Sequence, residues 1–165
     1  MTIVLILLSA IFVIFVIIFN QFIRNKNLVK EAWSGIDVQL KRRADLVPNI
    51  VECVKGYAKY EKSVFEEVTN IRSRALSAGT PKEKSEAENK FSGAINTLFA
   101  VSENYPDLKA NRNFLDLQKN LVEIEDQLQF ARRYYNGAVR NYNILIQSIP
   151  SNLMAGLFNF KAADF

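Results

Sequence analysis

The first residues of the chain form one long apolar run. From Ile3 to Phe19 no residue is charged and only Ser9 is polar, and after two amides the run continues to Ile23. A helix from Ile3 to Ile23 would be ~31 Å long at 1.5 Å per residue, which is enough to cross a hydrocarbon core of ~30 Å. The pattern predicts a transmembrane helix over residues 1–23.

The flanks of this run indicate its fate and its orientation. A cleaved signal peptide has a basic start, a shorter apolar stretch and small residues at the cleavage site. None of these is present, so we expect an uncleaved signal anchor. Arg24, Lys26 and Lys30 follow the run, whereas only the α-amino group is charged before it. Because basic residues stay on the cytoplasmic side, we expect the N-terminus outside and the remaining chain in the cytoplasm.

The remaining chain has the periodicity of packed helices. The clearest pattern predicts a helix over residues 110–149, with apolar residues in alternating steps of four and three, as in coiled coils. These residues are Leu117, Leu121, Ile124, Leu128, Ala131, Tyr135, Ala138, Tyr142, Leu145 and Ile149. Similar patterns predict a helix from the membrane span to about residue 43, a second over residues 50–75 and a third from residue 81 to about 104.

Glu61 falls on the apolar seam of the second predicted helix. We expect it to reach the rim of the packed face or to pair with an arginine, since a buried unpaired carboxylate is costly. A functional buried acid is the alternative.

The charged stretch around Pro48 is interpreted as a corner between two helices. Proline disfavours the helical conformation in the preceding residue and is tolerated in a first helical turn, and Asp45 is placed to cap that turn. Lys41, Arg42 and Arg43 would then occupy the last turn of the preceding helix, where cations meet the negative end of its dipole. A continuous, kinked helix is the alternative.

Two further connections carry helix-boundary residues. In "LSAGTPKEK", Thr80 suits an N-cap and Glu83 a capping box. Pro106 is expected to end the third helix, and Asn111 or Asn113 to cap the fourth.

Four helices with short connections favour antiparallel neighbours. The sequence therefore predicts an all-α protein in which the membrane helix is followed by an antiparallel up-down-up-down four-helix bundle over residues 24–150. In this topology the chain after Pro150 returns to the membrane. Residues 151–165 form an apolar tail that is expected to pack on the bundle, with insertion among lipid headgroups as the alternative.

Composition argues against several kinds of chemistry. The chain has no histidine, which excludes imidazole catalysis, and its single cysteine, Cys53, lies among apolar residues and is interpreted as an inert thiol. Glu123, Glu125 and Asp126 are interpreted as a solvated helix face. The net charge of +4 is spread over interleaved signs, so nucleic-acid binding is not expected. We expect no enzymatic activity, cofactor, metal or small-molecule substrate.

Three blocks carry a family resemblance: "EAWSGIDVQLKRRADLVPNIVECVKGYAKYE", "AENKFSGAINTLFAVSENYPDLKANRNFLDLQKNLVEIEDQL" and "ARRYYNGAVRNYNILIQSIPSNLMAGLFNF". Over residues 19–165 the chain resembles the LemA family of bacterial membrane proteins. The resemblance implies a single-pass protein of the bacterial inner (plasma) membrane with a cytoplasmic helical bundle, and a family without an established enzymatic activity. The motif positions, taken as candidate interaction residues, are Trp33, Asp37, Lys41, Arg42, Asp45, Pro48, Asn49, Lys55, Gly56, Tyr57, Tyr105, Pro106, Asn152, Leu153 and Phe158.

The leading functional hypothesis is a non-enzymatic scaffold or adaptor, anchored in membrane lipid, that forms a homo-oligomer through its cytoplasmic helices and binds other membrane proteins. The resemblance also suggests an alternative, an accessory or regulatory subunit of a membrane enzyme such as a metalloprotease. A ligand-sensing bundle is a third hypothesis, disfavoured because such a domain normally lies outside, between two spans.

Overall fold

The computed structural model describes residues 1–79 and 81–165, with the backbone alone at residues 81 and 82. Within the described residues it contains α-helices and no strand. The helices are α1 (Thr2–Lys55), α2 (Lys62–Ser77), α3 (Pro81–Ser102), α4 (Pro106–Lys109), α5 (Arg112–Gln147) and α6 (Ser151–Leu157). The all-α prediction is confirmed, whereas the predicted N-cap Thr80 lies outside the described residues.

Helix α1 begins with the predicted apolar segment. The most apolar 18-residue window of α1 has a mean hydropathy of 3.3, and none of it is buried. Side chains from Ile3 to Ile17 are exposed, as expected for residues whose solvent would be lipid. The helix is long enough and apolar enough to cross a membrane.

Helix α1 is continuous through Pro48, so the predicted corner at residues 41–49 is wrong and the alternative of a continuous helix is correct. The buried apolar residues of α1 keep their helical spacing on both sides of the charged stretch. They include Ile36, Leu40, Val47, Ile50 and Val54. The chain turns further on, where the N–H groups of Tyr57 and Ala58 both donate to the Val54 carbonyl.

This later turn also changes two smaller predictions. Gly56, expected inside a helix, lies in the turn between α1 and α2. Glu61 is the N-cap residue of α2 and is half-buried, so it lies at a rim and not on a buried seam. Its backbone carbonyl accepts from the N–H groups of Val64 and Phe65, which start α2.

One predicted boundary residue at the other connections, Asn111, is confirmed as a helix cap. The Asn111 Oδ1 accepts from the Phe114 N–H at 3.1 Å and caps α5. The Glu83 Oε2 accepts from the Gly79 N–H at 3.2 Å. Pro106 takes the first position of the short helix α4, after α3 has ended at Ser102.

The chain divides into two compact units, each with its own apolar core. We call Val38–Gln127 the central unit, and Met1–Asp37 together with Leu128–Phe165 the terminal unit. The core of the central unit contains Ala44, Val47, Ile50, Val51, Val54, Ala58, Phe65, Val68, Ala75, Phe91, Ala94, Ile95, Leu98, Leu108, Phe114 and Leu121. A core cluster of the terminal unit contains Phe22, Tyr142, Met154 and Ala155. Helices α1 and α5 contribute residues to both units.

Candidate functional site

Arg43 is buried inside the central unit, with 1% of its surface exposed. Its Nη2 forms an ion pair with Glu88 of α3, which is 4% exposed. Its Nη1 donates to the Glu125 Oε1 at 2.6 Å and to the Ser92 Oγ at 3.1 Å. The guanidinium carbon lies 5.4 Å from the centroid of the Phe91 ring. One cation therefore links α1, α3 and α5.

The energetics of this cluster are those of a buried ion pair. Desolvating two charges costs several kcal/mol each, and their attraction repays this cost only with complete hydrogen bonding. Among the described residues, the Arg43 Nε is the buried side-chain polar atom without a hydrogen-bond acceptor. The cluster therefore depends strongly on Glu88, since Glu125 is 40% exposed and more strongly solvated.

Two sequence interpretations are corrected by this cluster. Arg43 was expected at a helix end beside Lys41 and Arg42, but it lies inside α1 and faces the core. Glu125 was expected on a solvated face; its side chain is 40% exposed, but it also pairs with the buried Arg43, which was not expected. One signal could have found Arg43, because the four-three rhythm of Ile36 and Leu40 continues through position 43.

Arg72 of α2 repairs the backbone of α1 at Pro48. A proline inside a helix has no N–H to donate to the carbonyl four residues earlier, which here belongs to Ala44. The Arg72 Nε donates to the Ala44 carbonyl at 2.5 Å, and the Arg72 Nη2 lies 3.6 Å from the Asp45 Oδ1. The Arg72 side chain thus supplies the donor that Pro48 lacks, and α1 continues past Pro48.

The remaining motif residues of the central unit are mainly at its surface. Arg42 donates to the Gln39 side chain at 3.1 Å, and Lys55 pairs with Glu52 at 2.7 Å. The Tyr57 hydroxyl accepts from the Asn111 Nδ2 at 2.9 Å and so joins the turn after α1 to the cap of α5. Lys41, Asp45, Asn49 and Gly56 are exposed, Pro48 is half-buried, and Tyr105 and Pro106 start α4.

The other motif residues belong to the terminal unit. Trp33 packs edge-to-face on Tyr135, with 5.3 Å between ring centroids, and Asp37 is half-buried. Asn152 and Leu153 are exposed on α6, and Phe158 follows that helix. The structure therefore distributes the motif positions over two units, and their role as interaction residues stays a prediction.

Aromatic side chains of the tail pack against α1 in the terminal unit. Phe160 stacks on Phe22, with 4.6 Å between centroids and 6° between planes. Phe158 contacts Phe19 at 5.1 Å and Phe15 at 5.9 Å. The Lys26 Nζ lies 5.9 Å from the centre of the Phe160 ring. The tail was expected to pack on residues 24–150, but these ring contacts are with Phe15, Phe19 and Phe22 of the apolar segment, which were not foreseen.

The end of the tail is held against α5 by polar contacts. The Asn143 side chain donates to the Ala163 carbonyl and accepts from the Ala163 N–H, both at 2.9 Å. The Tyr135 hydroxyl donates to the Asp164 carbonyl at 2.8 Å. Burial, and secondly the negative charge of Asp164, raise the pKa of Tyr135. Both effects keep this hydroxyl protonated and able to donate.

Cys53 is the free thiol of the chain and is half-buried. Burial raises the pKa of Cys53 above its ordinary value. A raised pKa lowers the fraction of thiolate, which is the reactive form.

Together these features define an all-α protein with an apolar, exposed helix at its N-terminus and a core that contains a buried ion pair. The LemA family model matches residues 32–165, and the chain belongs to the LemA family.

Three relatives illustrate the similarity. Magnetosome protein MamQ 2 of Paramagnetospirillum magneticum is 26% identical over 173 residues, which covers 89% of this chain and 64% of the relative. Magnetosome protein MamQ of Magnetospirillum gryphiswaldense is 22% identical over the same coverage. Protein LemA of Metamycoplasma hominis is 27% identical over 140 residues, which covers 82% of this chain and 63% of the relative. The chain thus matches somewhat less than two thirds of the length of these relatives.

Proposed function

We propose that this protein is a non-enzymatic, membrane-anchored helical scaffold that self-associates and presents its cytoplasmic helices to other membrane proteins. The observation that supports this proposal most strongly is the continuity of α1. The same helix contains the exposed apolar segment and, further on, the buried core residues Ala44, Val47, Ile50 and Val54. Because anchor and core residues belong to one helix, a partner bound to the central unit would be held at the membrane.

The proposed topology has the N-terminus outside and the helices in the cytoplasm of a bacterial inner membrane. It is supported by Arg24 and Lys26, which follow the apolar segment. A fluorescent protein fused after Phe165 should therefore be fluorescent in the cytoplasm, and a periplasmic phosphatase fused at the same place should be inactive. An active phosphatase would contradict this topology.

We further propose that the central unit is an antiparallel helical bundle. Contacts between α1 and α2 pair Asp45 with Arg72 and Lys55 with Phe65, so residue numbers rise along one helix as they fall along the other. Between α1 and α5, Arg43 contacts Glu125, whereas Tyr57, just after α1, contacts Asn111, just before α5. Residue numbers again rise along one helix as they fall along the other. These reversed orders support antiparallel neighbours.

Exposed apolar residues on α5 support self-association. In the terminal unit, Phe130 and Tyr134 lie one turn apart on α5 and are 58% and 51% exposed. In the central unit, Leu115 and Val122 lie one heptad apart on α5 and are 49% and 60% exposed. A second copy of the chain could bury such residues, as coiled-coil partners do.

The test of self-association is the mass of the full chain in detergent or nanodiscs, measured by analytical ultracentrifugation over a range of concentrations. The wild-type protein and the matched control Gln129→Lys should form oligomers. Phe130→Lys combined with Tyr134→Lys should shift the protein toward the monomer. A wild-type protein that stays monomeric at every accessible concentration would refute self-association.

A photocrosslinker at Lys41 or Lys55 in living cells tests the partner class. Recovery of other copies and of several membrane proteins would support the scaffold. Recovery of one membrane metalloprotease alone would favour the accessory-subunit alternative.

A further inference from the structure

The tail lies alongside the apolar segment of α1. The Phe158 ring contacts the rings of Phe19 and Phe15, which precede Arg24, the first charged residue after the apolar run. At 1.5 Å per residue, Phe19 and Phe15 lie about 7.5 Å and about 13.5 Å along the helix from Arg24. One leaflet contributes about 15 Å of hydrocarbon. If Arg24 marks the headgroup boundary, Phe158 lies inside that leaflet.

Helix α6 buries one face in the terminal unit and exposes two leucines on the other. Ser151, Met154 and Ala155 are buried within the terminal unit. Leu153 and Leu157 lie on the opposite face, four residues apart, and are 73% and 74% exposed. The exposed side of α6 thus carries two large apolar side chains, beside the exposed Asn152 and Gly156.

Several backbone groups at both ends of α6 are hydrogen-bonded within the protein, as a segment in hydrocarbon requires. At its end, Asn159 has a φ of 54°, and the Phe160 N–H donates to the Ala155 carbonyl at 2.9 Å, which together form a Schellman motif. At its start, the Ser151 hydroxyl contacts the carbonyls of Leu145 and Ser148 at 2.6 and 2.9 Å. The chain therefore turns twice without directing these groups to water.

Basic side chains lie near Phe160, in the part of the tail that follows the turn at Asn159. After the turn, Phe160 stacks on Phe22, two residues before Arg24, and the Lys26 Nζ lies over the Phe160 ring. Lys161 follows and is exposed. Cations at this level match anionic lipid headgroups, each attracted by about 1 kcal/mol near the surface.

We propose that residues 149–160 form a re-entrant wedge in the leaflet next to Arg24, with Leu153 and Leu157 in contact with lipid acyl chains. This proposal rests on the proposed anchoring of α1, because Phe158 reaches hydrocarbon only where Phe15 and Phe19 do. Lipid is the occupant that fits Leu153 and Leu157, since Phe158, next to Leu157, contacts the apolar segment of α1 and the chain beyond it reaches the basic side chain of Lys26. The wedge gives the protein two contacts with one leaflet.

Spin-label accessibility in the full chain tests the wedge. Single cysteines at Leu157, Phe12 and Lys59 are introduced in a Cys53→Ser background, labelled, and reconstituted in phosphatidylcholine–phosphatidylglycerol vesicles. Phe12 is the membrane control, and Lys59, exposed in the turn before α2, is the water control. The label at Leu157 should behave like that at Phe12, with collisions with oxygen favoured over collisions with a water-soluble nickel complex. The label at Lys59 should show the opposite order.

Each other outcome has one meaning. If Leu157 meets the nickel complex while Phe12 does not, the wedge is refuted and the anchor stands. If both meet the nickel complex, the anchoring of α1 fails, and the wedge fails with it. If Leu157 is shielded from both reagents, a protein surface covers this face, and the lipid contact is refuted. Repeating the measurement at Leu153 guards against a label that disturbs one position.

Discussion

Removing the charge of Glu88 should destabilise the central unit strongly. The substitution Glu88→Leu leaves Arg43 buried at 1% exposure, with Glu125 as its remaining carboxylate partner. Breaking one side of a buried ion pair costs about 3–5 kcal/mol, because the other charge stays desolvated. Part of this penalty is relieved by Glu125, so the lower end of the range is expected.

The companion variant removes both charges. Arg43→Met combined with Glu88→Leu abolishes the desolvation cost, and such replacements of buried pairs are often neutral or stabilising by about 1–4 kcal/mol. It also removes the Arg43 Nε, which has no acceptor among the described residues. The double variant should therefore be more stable than Glu88→Leu alone. Glu125→Gln, at a 40% exposed carboxylate, should destabilise the central unit less than Glu88→Leu does.

Hydrogen exchange of the full chain in nanodiscs measures these differences. The amides of α3 report the opening of the central unit, and a factor of ten in their protection corresponds to about 1.4 kcal/mol. Glu88→Leu should accelerate their exchange toward the lower end of about 100- to 4,000-fold, the range that 3–5 kcal/mol spans. The double variant should restore most of the protection.

Two results would refute this reasoning. Wild-type protection in Glu88→Leu would mean that Arg43 does not need this counter-charge. A double variant as unprotected as the single one would mean that packing volume, and not charge, controls this region.

Two further predictions concern backbone repair and tail docking. Arg72→Met should lower the protection of α3 amides by about 1–3 kcal/mol, because it leaves the Ala44 carbonyl unpaired. Adding Pro48→Ala restores the helical donor and should recover most of this protection. An equal loss in both variants would contradict the role of Arg72. Tyr135 should ionise late in a 295-nm titration, so Tyr135→Phe should remove a late component. Because the folded form retains a proton that the unfolded form loses near pH ~10, tail docking should weaken above that pH, and unchanged curves would contradict this.

The helices and the membrane segment could be predicted because their signals are local and repeated. Steps of four and three in the long helix placed Leu121, Ile124, Leu128 and Tyr142 in buried positions, as the structure confirms. The last position of that pattern, Ile149, is 85% exposed because α5 ends at Gln147. Periodicity predicts which face of a helix is buried better than it predicts where the helix ends.

The corner could not be predicted correctly because the deciding interaction is not local. Rules for proline correctly state that Pro48 removes a donor, but the replacement donor is Arg72, 28 residues from Ala44. The position of Arg43 was within reach of sequence, since the rhythm of α1 passes through it. Its partners Glu88 and Glu125 required the three-dimensional arrangement of α3 and α5.

The apolar tail was predicted to pack, but its depth against α1 was not. The predicted topology would bring the chain back toward the membrane, but nothing in the local pattern selects Phe15, Phe19 or Phe22 as neighbours. The Asn159 turn, which directs Phe160 to Phe22, has a local signal because asparagine tolerates positive φ.

The dependence of Pro48 on Arg72 also has a consequence for biosynthesis. Pro48 emerges from the ribosome before Arg72 does, so the growing chain passes through a stage in which the Ala44 carbonyl can be satisfied only by water. During this stage the helix around Pro48 lacks the hydrogen bond from Arg72. That hydrogen bond forms only after residue 72 has emerged and α2 has folded back.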